Sequence, residues 1–205
     1  MPTIDYFFTL VSPYVYLGHQ AFLDMASEHG ADVSFRPVGL MGVWEHSGAV
    51  PLPQRPQSRQ DYRLIELQRW RDKRNVPLNL HPKHFPTNPM LADRSVIALV
   101  ETGADPAGYA GSVARACWVD DKDIAEADVL TGLLEAAGHD AGAILAAAQS
   151  DETAAIQQAN TAAAVAAGVV GAPGYVLNGE PFWGQDRIEL LADALAAGRA
   201  AYAAA

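Results

Sequence analysis

Residues Thr3 to Phe8 are rich in β-branched and aromatic side chains, whereas from Tyr16 to Ala26 apolar positions recur at the three- and four-residue spacing of a helix. Between them stands Ser12-Pro13, a preferred helix-capping residue followed by a proline suited to the first helical position. Gly30 closes the helix, and Ala31 to Val38 reads as a second strand. The chain therefore opens with a strand–helix–strand unit, whose two strands are expected to run parallel.

The strand signal then disappears until about Asp151. This stretch is proline-rich (Pro51, Pro53, Pro56) or helical in pattern, with helices expected over Tyr62–Arg74, Met90–Thr102, Pro106–Trp118, Ala127–Ala137 and Ala141–Ala148. Four prolines between Pro77 and Pro89 require an extended loop there. A further helix over Thr153–Ala167 is stopped by Gly168. Beyond Gly171-Ala172-Pro173-Gly174, Tyr175–Leu177 is a short strand, Asn178-Gly179 favours a type I′ hairpin turn, and Phe182-Trp183 begins the return strand. Asp186 is placed to cap a last helix reaching about Tyr202, and the Ala-rich tail after Gly198 keeps helical propensity. The pattern predicts an α/β protein of thioredoxin-like fold with a large α-helical insertion. Residues 1–38 and 152–205 would form the thioredoxin-like domain and residues 39–151 the inserted helical domain.

With 205 residues, half of them hydrophobic, the chain can bury a substantial core. A net charge of −10 argues against nucleic acid or an anionic membrane as partner, and an acidic small molecule would need a locally positive pocket. The single cysteine, Cys117, excludes an intrachain disulfide, a two-cysteine redox centre and a Cys-rich zinc site. Met1 to Leu10 lacks the pattern of a secretory leader, and the Ala159–Val170 stretch is shorter than the roughly 20 residues that span a bilayer, so a soluble cytoplasmic protein is expected.

Two places could carry chemistry. At Ser12-Pro13-Tyr14, unpaired N–H groups of a helix N-terminus would stabilise an anion, a thiolate included, and a hydroxyl could donate to it; equally, Ser12 could only cap its helix. The second is Ala172-Pro173, a candidate cis peptide just before a strand, with an ordinary trans turn as the alternative.

The strings "YFFTLVSPYVYLG", "LQRWRDKRNVP", "ACWVDDKDIAEADVL" and "GAPGYVLNGEPFWGQDRIELL" resemble those of 2-hydroxychromene-2-carboxylate isomerases, relatives of kappa-class glutathione transferases and DsbA-like oxidoreductases, nearly end to end. The resemblance implies glutathione as cofactor. Ser12 would face its sulfur, Ala172, ahead of Pro173, would pair by its backbone with the cysteinyl unit, and Trp183, Gly184, Gln185 and Asp186 would hold the γ-glutamyl end. A carboxylate such as Asp186 suits the free ammonium of glutathione, although Asp186 could serve only as a cap and Trp183 only as core. On the substrate side the resemblance points to Gln54, Arg55, Phe85 and Asn88. The family's lysine just after the second strand is absent, with Trp44 and Glu45 in that stretch; Arg55, Arg59 or Lys83 could supply the cation instead. His46, His81, His84 and Cys117 match no zinc spacing, and Cys117 reads as a buried small side chain.

The resemblance implies an isomerase that uses glutathione without consuming it to interconvert 2-hydroxychromene-2-carboxylate and trans-o-hydroxybenzylidenepyruvate-type compounds in aromatic degradation. Its partner would be a chromene carboxylate or aromatic 2-oxo acid, and the family implies a homodimer. A kappa-like transferase conjugating glutathione to electrophiles and a non-catalytic glutathione-binding module remain open. Disulfide exchange does not suit Ser12 and Val15, which stand where a thiol pair would.

Overall fold

The computed structural model describes residues 1–203; residues 204–205, the end of the Ala-rich tail, lie outside the described residues. Among the described residues four strands form one sheet in the order β2-β1-β3-β4, comprising β1 (Thr3–Phe8), β2 (Asp32–Pro37), β3 (Gly174–Leu177) and β4 (Glu180–Trp183). β1 pairs parallel with β2 and antiparallel with β3, and β3 pairs antiparallel with β4. The hairpin turns through Asn178 (φ 52°) and Gly179 (φ 85°), the pair of positive values that a type I′ turn demands.

Alternation along β1 separates two apolar layers. Ile4, Tyr6 and Phe8 face α1 (Pro13–Glu28), whose Phe22 ring lies 4.7 Å from that of Tyr6 and 4.5 Å from that of Tyr175. Phe7 faces the other way and packs with Val38, Val43, Ala164, Val169 and Val176. Both faces are therefore covered, as a sheet with buried central strands requires.

Seven helices connect β2 to β3: α2 (Leu40–Ser47), α3 (Gln57–Arg74), α4 (Met90–Glu101), α5 (Ala107–Trp118), α6 (Ala127–Ala136), α7 (Ala141–Ala148) and α8 (Asp151–Ala166). The larger core runs without a break from Tyr6 and Phe8 into Trp118, Leu130 and Leu145, so the helical block shares its core with the sheet. Among the described residues no helix is long and apolar enough to cross a membrane.

Three helices differ from the sequence pattern by more than two residues, and the return strand begins at Glu180, two residues before Phe182. α2 was hidden because Gly42 interrupts its eight residues and Gly39 and Gly48 flank them, and only Val43 among the eight is buried. α3 begins at Gln57, five residues before Tyr62, because Pro56 starts the turn and the polar first turn carries no apolar signal. The last helix, α9, spans Ile188–Ala197. Asp186 is not its cap: it lies inside a 3₁₀ turn, Gln185–Arg187, and Arg187 takes the cap position. The helix also stops before Tyr202. Gly198 turns left-handed (φ 56°), Arg199 forks onto Glu180 at 2.6 and 2.8 Å, and the Tyr202 ring covers that guanidinium.

Candidate active site

Ser12 stands between β1 and α1. Its hydroxyl oxygen accepts from the Val15 N–H at 3.3 Å, closing the first turn, and its proton is directed to the Ala172 carbonyl, also at 3.3 Å. Capping and facing the loop before β3 are thus one geometry. No acidic residue occupies the first turn of α1, which leaves the positive end of the helix dipole uncompensated.

The opposite bank is the loop Gly171–Pro173. The Ala172-Pro173 peptide is cis, and a second cis bond, Phe85-Pro86, lies in the long proline loop. The Pro173 carbonyl accepts from Gly184 N–H at 2.9 Å, which ties this loop to the end of β4. There Trp183 is 55% exposed, so it is a wall and not core. A Cβ on Gly171 would fall 2.7 Å from the Trp183 indole nitrogen, and one on Gly184 (φ 99°) would collide with the Asp186 carboxylate. Small residues at both positions let the indole and the carboxylate sit against the backbone.

Gln185 is buried. Its carbonyl and side-chain oxygen accept from the Arg74 guanidinium at 2.9 and 3.1 Å, and its Cβ occupies the space left by Gly18 on α1. Asp186 remains at the rim, its carboxylate 2.6 Å from Arg187. Arg74, which the sequence reading did not single out, pins the turn that carries Asp186; only its place in the "LQRWRDKRNVP" string hinted at it.

Together these groups line a cavity of about 750 Å³, closed on the remaining side by α3 with Leu40, Trp44, Leu52 and Phe85. Helical spacing along α3 puts Arg59, Tyr62, Arg63, Glu66 and Trp70 on this wall, and Arg55 joins them from the extended residues just ahead of the helix. Arg55 donates to the Val50 carbonyl at 2.9 Å and lies over the Trp44 ring. Arg63 lies over Phe85 and Trp118 at 5.5 and 5.8 Å and makes no hydrogen bond or ion pair among the described residues. Burial, reinforced by Arg55, holds the Arg63 guanidinium below its ordinary pKa, while the Tyr14 hydroxyl opposes that shift. Burial raises the Tyr14 phenol in turn. Glu66 is engaged by Arg69 and held below the usual carboxylate range, chiefly by that bond. The arginine wall is therefore a local positive field in an acidic protein, with donors free for an anion.

Of the residues expected from the sequence, Ser12, Ala172, Trp183, Gly184, Gln185, Asp186, Trp44, Arg55 and Phe85 line this cavity, with Pro173 directly behind Ala172. Gln54 and Asn88 do not. Gln54 is exposed beyond the rim in a 3₁₀ turn, Leu52–Gln54, and the Asn88 side chain accepts from Met90 N–H at the start of α4. Lys83 also lies outside, whereas Arg63, absent from the sequence reading, is inside; its place one turn beyond Arg59 on α3 was the signal available. Cys117 is buried in α5, where burial pushes its thiol up to about 12 and leaves it inert.

A cis-proline loop facing a helix N-terminus, on a sheet of order β2-β1-β3-β4, defines the thioredoxin class. Residues 3–196 match the DsbA-like thioredoxin domain, and the chain belongs to that family. Within it, the chain is 27% identical over 191 residues to a 2-hydroxychromene-2-carboxylate isomerase of Sphingobium xenophagum, covering 92% of this chain and 95% of the relative. A Pseudomonas putida protein of the same name is 28% identical over 197 residues, covering 94% and 93%. A solved 2-hydroxychromene-2-carboxylate isomerase structure superposes with a TM-score of 0.78 at 26% identity over 95% of both chains.

Proposed function

We propose that the chain is a glutathione-dependent isomerase acting on a chromene carboxylate or the related aromatic 2-oxo acid. The observation that carries this reading is the Ser12 hydroxyl at the N-terminus of α1, 3.3 Å from the carbonyl ahead of the cis-proline and inside a cavity walled by arginines. Relatives at 27–28% identity that bear the isomerase name support it.

In this reading the tripeptide lies along Ala172 with its ammonium end at Asp186, and its thiolate meets the Ser12 hydroxyl and the α1 N–H groups. The thiolate adds to the carbon–carbon double bond of the ring-opened substrate, forming a C–S bond, and the displaced electron pair moves onto the 2-oxo oxygen as an enolate. The former double bond rotates, the enolate collapses, the C–S bond breaks and the thiolate is returned unchanged. Arg63 and Arg59 offer free N–H donors to a carboxylate, taking the place of the absent lysine.

The test is turnover of a chromene carboxylate with and without glutathione, with total thiol assayed before and after. Isomerisation that saturates with glutathione and leaves the thiol content unchanged is expected. A stable thioether product with matching thiol loss would make the protein a transferase, and isomerisation at the same rate without glutathione would remove the cofactor from the account.

A further inference from the structure

Asp93, on α4, is 1% exposed and lies outside the cavity, yet it is bonded to the strand end that leads to Ser12. Its Oδ2 accepts from the Thr9 hydroxyl at 2.7 Å and its Oδ1 from the Leu10 N–H at 2.8 Å. The Thr9 carbonyl in turn accepts from Ser12 N–H at 3.1 Å, and the Ser12 hydroxyl reaches Ala172. One continuous chain of hydrogen bonds therefore runs from α4 through the β1–α1 loop to the proposed thiolate site.

We propose that Asp93 is a positioning residue for the site: its buried carboxylate clamps Thr9 and Leu10 and thereby sets where the Ser12 hydroxyl points. The inference rests on the reading of Ser12 given above. A buried carboxylate without a cation is costly, and here the two donors that offset the cost, the Thr9 hydroxyl and the Leu10 N–H, both belong to the loop that leads to Ser12. Among the described residues no cation offsets that cost. Arg94, next on α4, turns to Gln157 of α8, and the other titratable group acting with Asp93 is the Tyr109 hydroxyl of α5, itself bonded to Ser95. Burial raises the Asp93 carboxyl to about 7, and the bonds from Leu10 and Thr9 oppose that rise. Both bonds favour the anion, the form in which both oxygens accept.

The test uses the full chain with Asp93→Ala and Asp93→Asn. The asparagine variant keeps an oxygen for Leu10 N–H and an amide for the Thr9 hydroxyl, so it retains the clamp and stays folded even if alanine does not. In Asp93→Ala, amide exchange at Leu10 and Ser12 is expected to accelerate by about tenfold or more relative to Leu191 on α9, because the loop opens locally. Its kcat should fall by roughly ten- to a hundredfold, the scale of a small misplacement of a catalytic group, while the KM for glutathione moves little. The pKa of the bound thiol should rise as well, which a purely structural loss would not produce. Asp93→Asn should restore the slow exchange and most of kcat. Wild-type exchange at Leu10 and Ser12 in the alanine variant, or failure of asparagine to restore it, overturns the proposal. If glutathione does not bind the wild-type protein, the functional reading fails and the proposal with it; if it binds and the bound thiol has the same pKa in Asp93→Ala as in wild type, the positioning role alone is overturned.

Discussion

The cavity sets two kinds of charged residue against each other, those already neutralised and those held in reserve. Glu66 and Asp186 are paired with Arg69 and Arg187, but Arg63 presents a half-buried guanidinium to the cavity, stacked on the Phe85 and Trp118 rings and without an acidic partner among the described residues. Replacing Arg63 with Met keeps the stacking volume and removes the donors. The KM for a carboxylate substrate should then rise by about ten- to a hundredfold, the equivalent of the roughly 1.5–3 kcal/mol of a charged hydrogen bond. Steady-state kinetics against the acid and its methyl ester check this, since the ester should be indifferent to the change.

Asp93 makes a separate prediction through pH. Its folded carboxyl titrates at about 7, above its ordinary 3.8, so between those values the native state holds a proton that the unfolded chain has lost. The contribution of Asp93 to stability is full below about pH 4, falls as pH rises through about 7 and changes no further above it. Thermal melts of wild type and Asp93→Asn across that range should differ in slope, the variant being flatter, and parallel profiles would contradict the assignment.

At the scale of elements, the site depends on a 3₁₀ turn and a loop held by few bonds. Gly184 at φ 99° admits the turn that carries Asp186, and a Cβ there meets both an unfavourable backbone region and the carboxylate itself. Gly184→Ala should cost about 1–3 kcal/mol in stability and, by displacing Asp186, weaken glutathione binding by more than a substitution of equal cost elsewhere. Calorimetric titration beside thermal melts separates the two effects. The opening strand–helix–strand unit and the hairpin were legible from period and turn chemistry, because Ser12, Gly30 and Asn178-Gly179 act locally. The α2 helix was not, since it is only eight residues long and the glycines in and beside it, Gly39, Gly42 and Gly48, read as loop. Asp186 was misread as a cap because nothing local distinguishes the N-cap of an α-helix from the second residue of a 3₁₀ turn ahead of it. Arg63 was passed over for a related reason: a cation inside an amphipathic stretch reads as solvated surface until the proline loop is folded over it.

At the scale of the whole molecule, the fold joins residues 160 positions apart, the Ser12 hydroxyl and the Ala172 carbonyl, at the end of a shared core. The helical block between β2 and β3 adds the arginine wall to that junction, so a site that would otherwise face solvent becomes a cavity with a positive side. In the proposed reaction this junction stabilises a thiolate. Titrating the ultraviolet absorbance of bound glutathione thiolate against pH, in wild type and Ser12→Ala, tests it most directly. The wild-type curve is expected to lie below that of free glutathione, and Ser12→Ala to move it upward without abolishing the shift, since the helix N-terminus remains. Turnover at neutral pH should fall in parallel, on a scale of up to about 10²–10³-fold for one positioned donor, and recover in part at alkaline pH. Coincident curves for the two proteins, with only the roughly 1 kcal/mol loss of stability that follows removal of an N-cap, would contradict it.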